Sequence, residues 1–480
     1  MPEETSAAGY SPCEWSAAMA AAHRALSPVD LAFREAARAS PELLDRETFR
    51  AMAADGVLVE KPVQPWLTFL GGEKRAELAA ASLGVCALIK SIPQRIFGGE
   101  PASIARFYGL SPVFVDLCLA EPNGLAGALA RGDFIATADG LRCIEFNISS
   151  RIGGFETAVI VERARQVPAM ARFLAGQGIA GAAACTDTLR ELFAYVLAAA
   201  RAKGLADGGE LNVAIARNRR EPKRKPGLQA WFDRELQAVC GELAPGLSGR
   251  VVDAYPDELV VWQDNLFCGQ LRIQAVIVWA DETPKPVYRC FKSDRIVLFN
   301  GPVETLLANK RNLALLSENA QRPDLFSAAE RHLIDRHIPW TRQVSAAADG
   351  QGLEAKVELR GEERPLAELL AAHREELVLK KGVSYGGLGV AIGRFTPPAR
   401  WLELARQAAA EGGWVVQEIA ESLPYLYQTG ARGCAAHDVI WGPFVFGDRY
   451  GGAFLRMQPK SAEDVVNLTQ HATQGFLVEV

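Results

Sequence analysis

Apolar residues recur at helical spacing over residues 14 to 55 and 103 to 130, with breaks at Ser27-Pro28 and Pro122-Asn123-Gly124, which predicts a helical N-terminal scaffold. The period then changes. Residues 133–138 (DFIATA) and 141–147 (LRCIEFN) are rich in β-branched and aromatic residues and flank a turn signal, so they predict a β-hairpin. The Ala-rich tract from Val167 to Ala200 predicts a packed helix. Arg172, Asp187, Arg190 and Glu191 interrupt it, so it lacks the roughly 18 uncharged residues of a membrane span.

A second region opens with the strand-like Leu211 to Ala216, continues through an amphipathic stretch at 226–243, and returns to strand-like GRVVDAY (249–255) and LRIQAVIVWA (271–280). That order predicts a small α/β lobe. From Val287 the strand-like VYRCF and IVLFN lead to a helix-like segment with Asn309 and Lys310, then to PWTRQV at 339–344. A Gly- and Glu-rich linker near 346 to 364, a helix at 365–376, a strand at 376–380 and another at 414–419 complete the pattern.

A chain of 480 residues exceeds what one core usually supports, so two or three lobes are expected. With 52 basic and 57 acidic residues the net charge is -5, which speaks against nucleic acid or an anionic membrane as partner. Nine scattered cysteines without a C-x-x-C pair fit reduced thiols in a cytoplasm and exclude an obvious structural zinc site. The acidic start MPEETSAAGYSP has the wrong order for a signal peptide. The basic run RNRREPKRK at 217–225 is either a solvated loop or a mobile element over an anionic ligand.

Three polar patterns carry chemistry. On the strand LRCIEFN, alternation sends Glu145 and Asn147 to one face and Ile144, Phe146 and Ile148 to the other, which offers two oxygen donors side by side. Later, a strand delivers Lys380 to the mouth of Gly382-Val-Ser-Tyr-Gly-Gly-Leu-Gly389, a loop whose glycines can aim amide N–H groups at phosphate oxygens. The strand Trp414 to Ile419 ends in Gln417 and Glu418, polar groups able to hold the edge of an adenine.

The order Lys310, Lys380, glycine loop and Gln417-Glu418 resembles the ATP-grasp superfamily. Arg131-Gly-Asp133, with Glu145-x-Asn147 twelve positions after Asp133, is similar to the circularly permuted members, among them the synthetase domain of glutathionylspermidine synthase. The resemblance spans residues 130 to 157 and 285 to 480; departures are Ile148-Ser-Ser-Arg-Ile-Gly-Gly-Phe-Glu156 after Asn147, and the lack of a second catalytic domain with a cysteine nucleophile. It implies an α+β or α/β chain with a circularly permuted ATP-grasp fold. The helical region would be 1–125, the metal and substrate segment 126–205, a small α/β pre-ATP-grasp lobe 206–286 and the nucleotide-binding lobes 287–480.

The resemblance further implies ATP and Mg²⁺ as cofactors and an ATP-dependent carboxylate–amine ligase working through an acyl phosphate. A phosphotransferase or a non-catalytic nucleotide-binding regulator is the alternative. Asp133, Glu145 and Asn147 would hold magnesium. Lys310, Lys380, Ser384, Tyr385, Gly386, Gly387 and Gly389 would hold the phosphates, and Gln417, Glu418 and Glu421 the adenosine. Arg131 and Arg456 would be catalytic, and Ser149, Ser150, Arg151 and Glu156 would line the substrate site. The carboxylate and the amine could be an amino acid, a peptide, a polyamine or a specialised metabolite.

The metal reading also sets the hairpin's register. A turn of Asp139-Gly140 alone puts Asp133 opposite Phe146. The expected alternative is a three-residue turn, Ala138-Asp139-Gly140, with a bulge at Gly140 that puts Asp133 opposite Glu145.

Overall fold

The structure, a computed structural model, describes residues 15–39, 62–120, 129–181, 185–206, 208–344, 352–384, 388–429, 433–460, 466 and 472–480. The remainder of the helix expected over 14–55, and the loop residues Tyr385, Gly386 and Gly387, lie outside the described residues.

Helices Ala17–Leu26 and Pro28–Ala39 meet at the expected Ser27 break; Ser16 caps the first by accepting the Met19 N–H, and Pro28, with no N–H to leave unpaired, starts the second. The stretch 103–130 is not one helix. It forms Pro101–Tyr108 and Pro112–Leu119, parted by Gly109 at φ 73°, and residues 129 and 130 already belong to a strand. The tract from Val167 to Ala200 likewise splits into Pro168–Gly176 and Thr188–Ala202, because Gly178 turns the chain at φ 71° and Asp187 caps a new helix. Among the described residues one helix, Gly72–Arg95, is long and apolar enough by length and composition to cross a membrane. Its Leu78, Val85, Ile89 and Ile92 are buried, and it packs on the largest sheet.

That sheet is antiparallel and orders Thr473–Gly475, Arg449–Pro459, Gly433–Phe446, Leu129–Thr137 and Gly140–Ile148, with Tyr425–Thr429 also paired to Gly433–Phe446. The early hairpin is thus built into a sheet whose other strands come from the C-terminal part of the chain. A second antiparallel sheet orders Thr341–Val344, Trp414–Glu418, Leu377–Lys381 and Val390–Ile392, covered by Leu366–Ala372 and Pro398–Glu411.

A parallel sheet orders Val297–Phe299, Ala275–Trp279, Val213–Arg217 and Val251–Ala254. The run LRIQAVIVWA is divided at Gln274: Leu271–Ile273 joins a three-stranded meander, and Ala275–Trp279 enters the parallel sheet. VYRCF is helical, not a strand. Pro284 and Pro286 start the helix Lys285–Lys292, whose Val287, Cys290 and Phe291 form a buried face at i, i+3 and i+4. The expected linker near 346 to 364 contains a hairpin, Lys356–Leu359 and Glu362–Pro365, turned by Arg360 and Gly361 at φ 53° and 83°. Trp262 is exposed, whereas Tyr425 and Tyr427 are buried. Seven cysteines (86, 118, 143, 185, 240, 268 and 290) are free thiols, as expected; Cys434 is disulfide-bonded, against that expectation.

Candidate active site

The early hairpin pairs Asp133 with Glu145 and Arg131 with Asn147. The pairing is the expected one, but its origin is not. Thr137 pairs with Gly140 across a two-residue turn, Thr137 Oγ1 bracing it by donating to Gly140 O (2.9 Å) and accepting from Asp139 N (3.2 Å). The register shifts between Asp133 and Phe134, where Cys143 and Glu145 take consecutive partners and Ile144 is the extra residue. Burial shows the phase change: Leu141 and Cys143 are buried before the bulge, Phe146 and Ile148 after it. Ile144 therefore leaves the face it shared with Phe146 in a regular strand and lines the cavity described below. Its unpaired carbonyl accepts from Lys380 Nζ at 2.9 Å.

Asp133 is buried among cations. Arg456 Nη2 stands 2.5 Å and Arg131 Nε 3.6 Å from Oδ1, while Asn147 Nδ2 donates to Oδ2 at 3.2 Å. Burial alone pushes the Asp133 carboxyl up; the guanidiniums of Arg456 and Arg131 reverse that and hold it below the usual range. Burial and the neighbouring Arg456 lower the Arg131 guanidinium to about 10, against the pull of Asp133 and Glu145. Arg456 reaches Asp133 from two strands away, and Gly442 on the strand between leaves room for Arg131: a Cβ there would lie 2.8 Å from Phe454 O and 3.1 Å from Arg131 Cδ.

Two lysines approach this hairpin: Lys380 from the second sheet and Lys310 from the N-terminus of the helix Arg311–Glu318. Lys310 Nζ lies 3.1 Å from Glu145 Oε1 and donates to Ser384 O at 2.8 Å, and its backbone N–H bonds Gly382 O. Lys380 Nζ donates to Ile144 O and to Gln417 Oε1 (2.7 Å), and Gln417 Nε2 in turn donates to Thr341 Oγ1. Burial lowers the Lys380 ammonium to about 8; Glu145 opposes the fall and Lys310 adds to it.

Between the two sheets lies a cavity of ≈ 240 Å³. Ile144, Val378, Ile392 and Ile440 give it apolar walls, and Gln417, Glu418 and Gln458 give it polar edges. A flat ring with hydrogen-bonding edges suits such a slot. Lys460 and Asp438, 2.7 Å apart, also line it.

Other expected residues are distributed as follows. Gly389 is left-handed (φ 68°) and its carbonyl accepts from Lys381 N. Glu418 and Glu421 line the cavity with their carboxylates engaged by Arg360 and Arg394. The Gln417 carboxamide, expected at an adenine edge, is spent on Lys380 and Thr341, so it orients the lysine. Ser149 Oγ donates to Glu304 Oε1 (2.8 Å), Ser150 Oγ donates to Phe299 O, and Arg151 pairs with Asp281. Glu156 diverges from this group and accepts from Gln474 Nε2. Sequence reasoning missed Ile144, Gly442, Gln458, Lys460 and Glu304. Alternation from Asp438 or Arg456 could have found Gln458; nothing local marks Glu304.

Among the described residues no three His, Cys, Asp or Glu side chains cluster as a metal cage. Asp133 and Glu145, paired across the hairpin, form with the carboxamide of Asn147 a sparse set of hard oxygens. Such a set fits magnesium, which takes one or two carboxylates and completes its shell with phosphate and water.

No family model and no curated relative matches the chain. Among solved structures it is similar to a glutathione synthetase-like effector from Globodera pallida in its apo form, with a TM-score of 0.51 and 10% identity over 90% of this chain and 95% of that one. At that identity the likeness is one of fold: a mixed α/β chain of several sheets.

Proposed function

We propose that the protein is an ATP-dependent carboxylate–amine ligase that activates the carboxylate as an acyl phosphate. The observation that carries this reading is the meeting of Lys310 with Glu145 (3.1 Å) and of Lys380 with Ile144 O (2.9 Å). These contacts bring the early hairpin and the later glycine-loop sheet to one place. The name of the structural neighbour points the same way. The position of the hairpin, early in the chain but inside a sheet of C-terminal strands, supports a circularly permuted ATP-grasp arrangement. On that reading residues 126–205 supply the metal and substrate segment, 206–286 the pre-ATP-grasp lobe and 287–480 the nucleotide-binding lobes.

A carboxylate is a poor electrophile, so the γ-phosphoryl group moves to one of its oxygens, ADP leaves, and an amine attacks the resulting carbonyl carbon and releases phosphate. Lys310 and Lys380 bind the nucleotide's phosphates, with the loop from Ser384 to Gly389 over them. Arg131 and Arg456 hold the carboxylate and the acyl phosphate oxygens; planar guanidinium groups suit both. Adenine occupies the slot between Ile144, Val378 and Ile440. Asp133, Glu145 and Asn147 would hold Mg²⁺, which neutralises phosphate charge when bound.

Hydroxylamine tests the activation step without knowledge of the amine. With ATP, magnesium and a pool of small carboxylates, a ligase yields a hydroxamate together with ADP. A stable phosphorylated product points to a phosphotransferase instead, and nucleotide binding without turnover points to a regulator.

A further inference from the structure

The N-terminal scaffold meets the helix Arg311–Glu318 at its start, beside Lys310. Phe97 packs on Phe107 and Tyr108 with ring centroids 5.2 and 6.2 Å apart, and Phe107 packs edge-on against Tyr108 at 4.8 Å, distances at which aromatic pairs attract beyond their buried area. Tyr108 Oη donates to Asn312 Oδ1 at 2.5 Å, and Asn312 Nδ2 donates to Leu306 O and Leu307 O.

Arg311 joins this mount to the second antiparallel sheet. Its guanidinium lies 3.7 Å from the centre of the Phe107 ring; Nη1 donates to Phe107 O at 2.6 Å and Nη2 to Gln343 Oε1 at 3.0 Å. Gln343 stands on the edge strand Thr341–Val344, where Glu318 accepts from its backbone N–H at 2.7 Å and from its carboxamide at 2.8 Å. The Arg311 stem also reaches the glycine loop, since a Cβ on Gly382 would lie 3.2 Å from Arg311 Cγ. Arg311 N donates to Asn309 Oδ1 at 3.0 Å and Lys310 N to Gly382 O at 2.9 Å, so the backbone is held on both sides of the lysine.

We propose that Arg311 is a positioning residue: by bridging the scaffold to the sheet that carries Lys380, it sets Lys310 on the phosphates of the nucleotide. The proposal rests on the ligase reading above and deepens it, because it gives the N-terminal helices a part in nucleotide binding. Successive residues on a helix do not face each other, and here Lys310 turns to Glu145 and Ser384 while Arg311 turns to Phe107 and Gln343. Arg311 therefore acts through the backbone and not by touching phosphate. A lysine stem is long and flexible, so its ammonium finds one place only when its Cα is fixed from outside. Misplacing such a group by about 1 Å can cost about 100-fold. The planar guanidinium holds a carbonyl and a carboxamide through two nitrogens at once; lysine in its place keeps the charge and loses that geometry.

Calorimetry on the full chain with magnesium compares the non-hydrolysable analogue AMPPCP with adenosine, which lacks the phosphates, in Arg311→Lys, Lys310→Met and the double variant. AMPPCP should bind about tenfold more weakly to Arg311→Lys, with adenosine within about twofold of the wild type. Added to Lys310→Met, the same change should cost less than about twofold more, because the group it positions is gone. Equal losses for the two ligands, or a loss as large without Lys310 as with it, would mean a general structural role and overturn the assignment. Wild-type AMPPCP affinity in Arg311→Lys also overturns it, since charge alone then suffices. Tyr108→Phe keeps the ring and drops only the bond to Asn312; it should weaken AMPPCP by about threefold and spare adenosine, and unchanged AMPPCP binding removes the scaffold from nucleotide binding. Lys310→Met without effect on AMPPCP sinks the phosphate reading of Lys310 and the proposal with it, and is told apart from failure of the bridge alone, in which Lys310→Met weakens AMPPCP and Arg311→Lys does not.

Discussion

Asp133 should be a costly carboxylate to remove. It is 5% exposed, with Arg456 Nη2 at 2.5 Å, Arg131 Nε at 3.6 Å and Asn147 at 3.2 Å. At an effective dielectric constant of about 20, the longer ion pair alone is worth about 4.6 kcal/mol of gross attraction. Desolvation of the charged groups offsets most of such a gain, so the intact cluster contributes little net stability. Asp133→Asn removes the carboxylate that the two guanidiniums share and leaves like charges buried side by side. Breaking a buried pair from one side costs about 3–5 kcal/mol, or about 6 °C and more in the melting of a lobe of ordinary size. Scanning calorimetry without nucleotide reads this directly. Replacing one guanidinium as well, in Asp133→Asn with Arg456→Met, should recover more than half of the loss, because the uncompensated charge is gone. A single variant melting within about 1 °C of the wild type, or a double variant worse than either single one, would refute the reasoning.

Three further outcomes are expected. Lys380 is charged below its value of about 8 and neutral above it, and bound phosphate raises that value, so ATP affinity is full near neutrality and declines as the pH rises through about 8, by up to about tenfold per unit. Titration calorimetry at about pH 8.5 in buffers of different ionisation enthalpy should show proton uptake; constant affinity from about pH 7 to about pH 9 contradicts it. Gly442→Ala places a methyl 2.8 Å from Phe454 O and 3.1 Å from Arg131 Cδ, so it should displace Arg131 and slow acyl phosphate formation while leaving ATP affinity within about threefold; hydroxamate kinetics decide. Gly382→Ala meets backbone, Gly413 O at 2.5 Å, and Gly382 O is what Lys310 N bonds, so nucleotide binding itself should weaken; unaltered binding by calorimetry removes Lys310 from the phosphate site.

The facing of Asp133 and Glu145 was expected from the metal reading of the hairpin, but the route to it, a two-residue turn and a bulge at Ile144, was not legible in the turn residues. An isoleucine carries no bulge signal; Ile144 bulges where its carbonyl meets Lys380, a residue 236 positions away. Long-range partners also explain Gln417, which reads locally as a polar strand end and is spent on Lys380 and Thr341. VYRCF fits both periods because five residues hold barely one helical turn, and two prolines, rather than its β-branched content, decide for helix. Glu304 follows Gly301-Pro302-Val303, a turn like any other, and only the fold lays it against Ser149.

The central claim is that one divalent cation joins the early hairpin to the nucleotide sheet, and electron paramagnetic resonance of Mn²⁺ with AMPPCP reads that joining. Wild-type protein should bind Mn²⁺ in an analogue-dependent manner. Glu145→Gln, with its melting temperature held within about 2 °C by the near-identical shape, should weaken that binding by at least the roughly tenfold that even an outer-shell change costs. Equal Mn²⁺ affinity in the two proteins would place the cation elsewhere and contradict the account.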